Sequence, residues 1–282
     1  MKKISLLFLT VLLIISCKNK PAEKEATAKE TLKIVSLNGA ITETIAALGK
    51  GDNIVGRDVT SSFPDNLKAK DLGHVRSLTI EPILEVSPNL ILASNKDVNP
   101  DLNAKIEASK IKTQFINQTF SVVGAKKLIE NVANAIGVEN YTSLQENITK
   151  DIAKLTPIEK KPKVLFIYAR GQMLMVAGTN TPMEALINIA GGENAITEFE
   201  NFKPLTPESL IEINPDAILM FNSGLKSAGG IDAMLQVSGM LQTQAGKNKR
   251  ILTMDGGLIS NFGPRIGKAA LELNKLLIES AQ

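Results

Sequence analysis

Apolar residues come in short runs separated by polar or glycine-containing breaks over most of the chain. Residues 32–37 (LKIVSL) predict a strand, Asn38-Gly39 turns the chain, and Ile41, Ile45, Ala46 and Leu48 follow at helical spacing until Gly49. Residues 53–57, 89–94 and 112–116 predict further short strands, and 101–109 a helix. From 122 to about 155 helical signals dominate, interrupted at Gly137; the later piece, from Tyr141, is amphipathic and ends in the polar run PIEKKP at 157–162. A new strand opens at Lys163 (KVLFIYA), and the alternation continues to a last helix after Pro264. Short strands alternating with helices predict α/β architecture, with parallel sheets covered by helices.

One stretch of this pattern occurs twice. Residues 78–92 read LTIEPILEVSPNLIL and residues 205–219 read LTPESLIEINPDAIL, with seven of fifteen positions identical. Each copy predicts a short helix, a proline stop and an apolar strand, with Thr79 and Thr206 as the helix N-caps. A helix–strand unit recurring 127 residues later predicts two similarly built lobes.

The first residues follow a different rule. Met1-Lys2-Lys3 gives a positive start, and an apolar run from Ile4 to Ile15 is broken only by Ser5 and Thr10. Such a run is too short to span a bilayer core of roughly 30 Å and predicts a signal peptide. It ends Ile14-Ile15-Ser16-Cys17, which resembles a bacterial lipobox, so Cys17, the single cysteine, is expected to carry a lipid after cleavage. The anchor would hold the chain at the cell envelope, on the periplasmic or extracellular side, without a spanning helix. Residues 18–31 (KNKPAEKEATAKET) are nearly free of large apolar side chains and read as a tether. The expected organisation is therefore a signal peptide at 1–16, a lipid-anchored tether at 17–31, an N-terminal lobe at 32–139, a bridging helix at 140–161 and a C-terminal lobe at 162–282.

Composition narrows the chemistry. Lys+Arg of 32 against Asp+Glu of 29 gives +3, and Lys2 and Lys3 belong to the leader, so the mature chain is close to neutral. That argues against a nucleic-acid partner, which needs a concentrated basic face. One His, one Cys and no Trp exclude a disulfide framework and a zinc site built from several histidines. The chain contains no G-x-S-x-G, H-E-x-x-H, G-x-x-x-x-G-K-[ST] or G-x-G-x-x-G motif, so an enzyme using His74 as general base lacks its expected companions.

Several segments together resemble the ABC-transporter substrate-binding proteins that serve haem, siderophores and cobalamin. They are KIVSLNGAITETIAALG at the start, the paired LTIEP and LTPES, DLGHVRSL at 71–78, MVAG at 175–178, AGGEN at 190–194, and Asp255-Gly256 followed by Phe262-Gly263-Pro264-Arg265. The resemblance covers roughly residues 32–280 and is greatest for the haem-binding branch. It implies two Rossmann-like lobes bridged by one long helix, with a ligand cleft between the lobes, and a monomer that captures haem and carries no catalytic cofactor. A ferric siderophore or cobalamin is the alternative cargo, disfavoured for sites lined by Trp because the chain has none.

In the haem branch the residue after the Asp-Leu-Gly step is commonly an iron-ligating Tyr; here it is His74, and an imidazole nitrogen is also a common haem ligand. Met173 or Met175 could add a thioether as second axial ligand, against the alternative that they fill an apolar gap. Arg76 and Arg170 are candidates to pair with the propionates, since a guanidinium matches a carboxylate through two parallel bonds. Tyr168, Phe262 and Arg265 complete the expected ligand-binding set. The resemblance also implies that Glu81 and Glu208, at equivalent places in the repeat, dock onto an ABC permease dimer driven by its ATPase. A carboxylate in a first helical turn is also favoured by the helix dipole alone.

Overall fold

A computed structural model describes residues 31–280; the leader, Cys17 and nearly all of the tether lie outside the described residues. Among the described residues no helix is long and apolar enough to cross a membrane. Two sheets carry the fold. The first comprises β1 (Ile34–Leu37), β2 (Ile54–Arg57), β3 (Lys70–Asp71), β4 (Leu90–Ala93) and β5 (Lys112–Phe115), in the order β3-β2-β1-β4-β5 with all neighbours parallel. The second comprises β6 (Lys163–Arg170), β7 (Met173–Ala177), β8 (Glu193–Asn194), β9 (Phe202–Pro204), β10 (Ala217–Phe221) and β11 (Ile251–Met254), in the order β11-β10-β6-β7-β9 with β8 against the start of β6.

The second sheet corrects the expectation of parallel pairing throughout. Its β10, β11 and β8 are parallel neighbours, but β6 and β7 form an antiparallel hairpin and β9 adds antiparallel to β7. The eight-residue β6 outruns its parallel partner β10, which pairs only residues 164–166. Its far half, Ile167 to Arg170, pairs with β7 through the Gly171-Gln172 turn, where Gly171 takes a φ of 58°. Both sheets are buried on two faces, as helix-covered sheets must be. Ile34 and Val35 face opposite cores in the first lobe, and Val164 and Leu165 do so in the second.

The repeat occupies matching places in the two lobes. β4 lies beside β1 with Ile34 opposite Leu90, and β10 lies beside β6 with Val164 opposite Ala217, so each repeat supplies the strand next to its lobe's first strand. The helix starts differ. Thr206 caps Pro207–Ile213 with a reciprocal Thr206–Ser209 box. Helix Glu81–Glu85 begins after Ile80, which offers no side-chain cap, and Thr79 hydrogen-bonds the Glu81 carboxylate instead. Thr206→Ala is therefore expected to lower stability by about 1 kcal/mol, and Thr79→Ala by much less, as chemical denaturation of the pair would show.

The bridging segment is also corrected. The helix that enters both cores is Val122–Ile136, not residues 140–161. Ala125 and Ile129 face the C-terminal lobe, while Leu128, Val132 and Ile136 face the N-terminal lobe. Ser121 caps its start, and Gly137 ends it in the left-handed region at φ 69°. Within 140–161 a shorter helix, Thr142–Ile152, packs against the last helix, Ile266–Glu279. Beyond it the chain is pinned by Asn274, whose buried amide bonds Thr156 N and O and Ala190 O.

Candidate functional site

In an open α/β sheet the ligand crevice lies beyond the carboxyl ends of the strands, where the strand order reverses. In the first lobe that point falls between β1 and β4. Asn38 follows β1 directly; its Oδ1 accepts from Ile41 N at 3.1 Å and caps the helix Gly39–Ile45. Its Nδ2 donates across the switch point to Asp97 Oδ2, beyond β4, at 2.8 Å and makes a longer contact of 3.5 Å with Gln118 Oε1, beyond β5. Gln118 Nε2 then donates to the carbonyl of Asn261 in the second lobe. Gly39 permits this approach, because a Cβ there would sit 2.6 Å from Asn261 Oδ1.

Above this polar floor opens a cavity of about 470 Å3 lined from both lobes, including His74, Val75, Arg76 and Thr60 on one side and Pro182, Phe202, Gly256 and Ser260 on the other. That volume lies in the ordinary range for small-ligand sites, about 300–1,000 Å3. His74 is exposed and precedes a short turn, Val75–Ser77; its Nδ1 accepts a long 3.3 Å bond from Arg76 N. Arg76 is exposed, and among the described residues its guanidinium has no ion pair, so it is free to meet an anionic ligand. Among the described residues no group of three or more His, Cys, Asp or Glu is placed to hold a bare metal ion.

The other expected ligand residues lie elsewhere. Tyr168 packs edge-on against Phe221, with ring centroids 6.1 Å apart. Arg170 and Met173 face each other at the exposed end of the β6–β7 hairpin, and Met175 pairs with Tyr168; none of these four lines the His74 cavity. Phe262, expected at the ligand, is 1% exposed and packs edge-on against Phe120 at 5.4 Å. Arg265, also expected at the ligand, is engaged within the protein. Its Nη2 pairs with Glu43 Oε2 at 2.9 Å, its backbone N–H donates to Glu43 Oε1 at 3.1 Å, and its guanidinium stacks 3.5 Å over Phe63. It ties the second lobe to the first instead of facing the cavity.

Glu81 and Glu208 are both exposed, each in the first turn of its short helix. The Thr79 hydroxyl, with the Glu81 backbone N–H, holds the Glu81 carboxyl below the usual carboxylate range, which keeps it charged.

Two sheets, a helix shared by both cores and a crevice at the strand ends define a two-lobed binding protein. The chain belongs to the periplasmic binding protein family, whose model matches residues 34–257. It is similar to an ABC transporter substrate-binding lipoprotein, YvrC, of Bacillus subtilis (strain 168), at 27% identity over 255 residues, covering 87% of this chain and 79% of the relative. Among solved structures it is similar to the periplasmic haem-binding protein RhuT of Roseiflexus sp. RS-1 in apo form, at 34% identity and a TM-score of 0.85, over 89% of this chain and all of that one. It is also similar to the periplasmic haem-binding protein BhuT in complex with two haems, at 30% identity and a TM-score of 0.84, over 89% of this chain and 99% of that one.

Proposed function

We propose that this protein is the substrate-binding component of a haem ABC importer. The observation that carries the reading is the placing of His74 beside the unpaired Arg76 at the mouth of the interlobe cavity. An imidazole can bond the iron, and an uncommitted guanidinium can neutralise a propionate. Arg170, also exposed, is a second candidate for a propionate only if the β6–β7 hairpin leans over the bound ring. Met173, 49% exposed at the same hairpin end, and Met175 are candidates for a second axial bond on the same condition. The relatives that bind haem support this cargo. Nothing in the mechanism requires bond-making by the protein beyond ligation. Cys17 would hold the monomer to the membrane through its lipid, and Glu81 and Glu208 would present the loaded protein to the permease dimer and its ATPase.

A second reading, a ferric siderophore or cobalamin, is favoured by one feature: the cavity floor is polar, made by Asn38, Asp97, Gln118 and Asn261. The test is a visible-absorption titration of the mature chain carrying Cys17→Ser with haemin, cyanocobalamin and a ferric hydroxamate in parallel. A saturable Soret shift near one or two equivalents of haemin, with no binding of the others, is expected. Saturation by cobalamin or the siderophore alone would replace the haem reading.

A further inference from the structure

Five equivalent residues of the repeat are helical in both lobes: Glu81-Pro82-Ile83-Leu84-Glu85, and Glu208-Ser209-Leu210-Ile211-Glu212 within the longer Pro207–Ile213. The third position is the core anchor, and Ile83 and Leu210 are each fully buried. One inward apolar residue is what so short a helix needs to dock on its own sheet. The fourth position is apolar as well, yet it faces outward: Leu84 is 46% exposed and Ile211 is 40% exposed. A single exposed aliphatic side chain is ordinary. The same part-exposed aliphatic position recurs in two copies that differ at eight of fifteen residues, with Ile211 resting one edge beside Gly239 and leaving the other to solvent.

Acids bracket each one. Glu81 and Glu85 flank Leu84, and Glu208 and Glu212 flank Ile211, and all four are exposed. Lys70 engages Glu85 at 2.6 Å, while Glu81, Glu208 and Glu212 have no ion pair among the described residues. Each lobe thus offers an aliphatic knob beside at least one carboxylate without an ion pair: Glu81 in the first, Glu208 and Glu212 in the second. Two like knobs on two like lobes fit a partner that presents two like sockets, and the acids call for a basic rim around each socket.

We propose that Leu84 and Ile211 are apolar docking knobs that seat in basic-rimmed sockets on the two halves of a symmetric membrane permease. This rests on the reading that Glu81 and Glu208 dock there, and it adds the contact that excludes water around those carboxylates. Charge alone would steer the encounter and set its salt dependence; a buried aliphatic side chain slows dissociation.

The experiment uses the haem-loaded mature chain carrying Cys17→Ser and the host's haem permease–ATPase complex in lipid nanodiscs, reading the dissociation constant and rate. Leu84→Ser and Ile211→Ser are each expected to weaken binding by about 10-fold, mainly through faster release, since burying one aliphatic side chain is worth about that factor. Haem affinity should stay at the parent value, and thermal stability should fall only slightly, more for Ile211→Ser, which gives up its contact beside Gly239. Val123→Ser, which removes a 77% exposed aliphatic side chain outside the repeat, should change nothing. If Glu81→Ala/Glu208→Ala weakens docking and Leu84→Ser/Ile211→Ser does not, the knobs are refuted and the docking face stands. If neither pair has an effect, the docking face itself is wrong and the knobs fall with it.

Discussion

His74→Ala is expected to abolish the Soret shift that haemin produces on the parent chain, with affinity falling by the 2–4 kcal/mol typical of a dominant contact, or about 30- to 1,000-fold. Stability should barely change. His74 is exposed, and its one side-chain bond, 3.3 Å from Arg76 N, is at the weak end of the range. The chain has no second histidine to take over. His74→Tyr should retain haem with an altered spectrum and a lower reduction potential, because an anionic phenolate stabilises ferric iron more than a neutral nitrogen does. An unchanged Soret band in His74→Ala would move the ligation to Met173, Met175 or Tyr168 and require the β6–β7 hairpin to fold over the cavity.

Local periodicity made much of this legible. Four of the five strands of the first lobe agree to within two residues, because each is a short apolar run; β3, the polar pair Lys70–Asp71, has no such pattern and was not expected. The repeat located β4 and β10, the strands beside each lobe's first strand. The antiparallel turn of β7 was not legible, since Met173 to Ala177 is an apolar run whose direction is set by the Gly171-Gln172 turn and not by its own pattern. The bridging helix was placed too late because Tyr141 to Leu155 has the amphipathic pattern of a surface helix. Val122–Ile136, apolar on two faces, is the one that must be buried from both sides. Of the site, only His74 and Arg76 were found by motif. Asn38, Asp97, Gln118 and Asn261 act through contacts that cross 59 to 143 residues of sequence, which no local pattern encodes. Their common signal is position, just past the carboxyl ends of β1, β4 and β5 or in the loop following β11. The surroundings of Phe262 and Arg265 were hidden for the same reason: the burial of one and the partner of the other, Glu43, 222 residues away, are set by the fold.

Arg265→Ala is expected to lower stability by about 3–5 kcal/mol, the cost of stranding one partner of a buried pair, and the melting temperature by roughly 10 °C. The Glu43 side chain is only 3% exposed, and both of its oxygens are engaged by Arg265, one by the guanidinium and one by the backbone N–H. Removing the guanidinium leaves that carboxylate in the interface between the lobes with one backbone donor. Glu43→Ala should cost less, because the Arg265 side chain is 20% exposed and keeps its stacking on Phe63. The double variant should be less destabilised than the two single losses summed, since neither charge is then left alone. The pair is not thereby a net source of stability, as apolar replacements of matching volume can equal a buried ion pair. What it supplies is a fixed relation between the first helix, the Phe63 loop and the start of the last helix, and so between the two walls of the cavity. Haem affinity separates this strut from a propionate ligand. As a strut, Arg265→Ala lowers the melting temperature while haemin binding to the folded protein stays within a few-fold of the parent. A large loss of affinity with unchanged stability would instead return Arg265 to the ligand site.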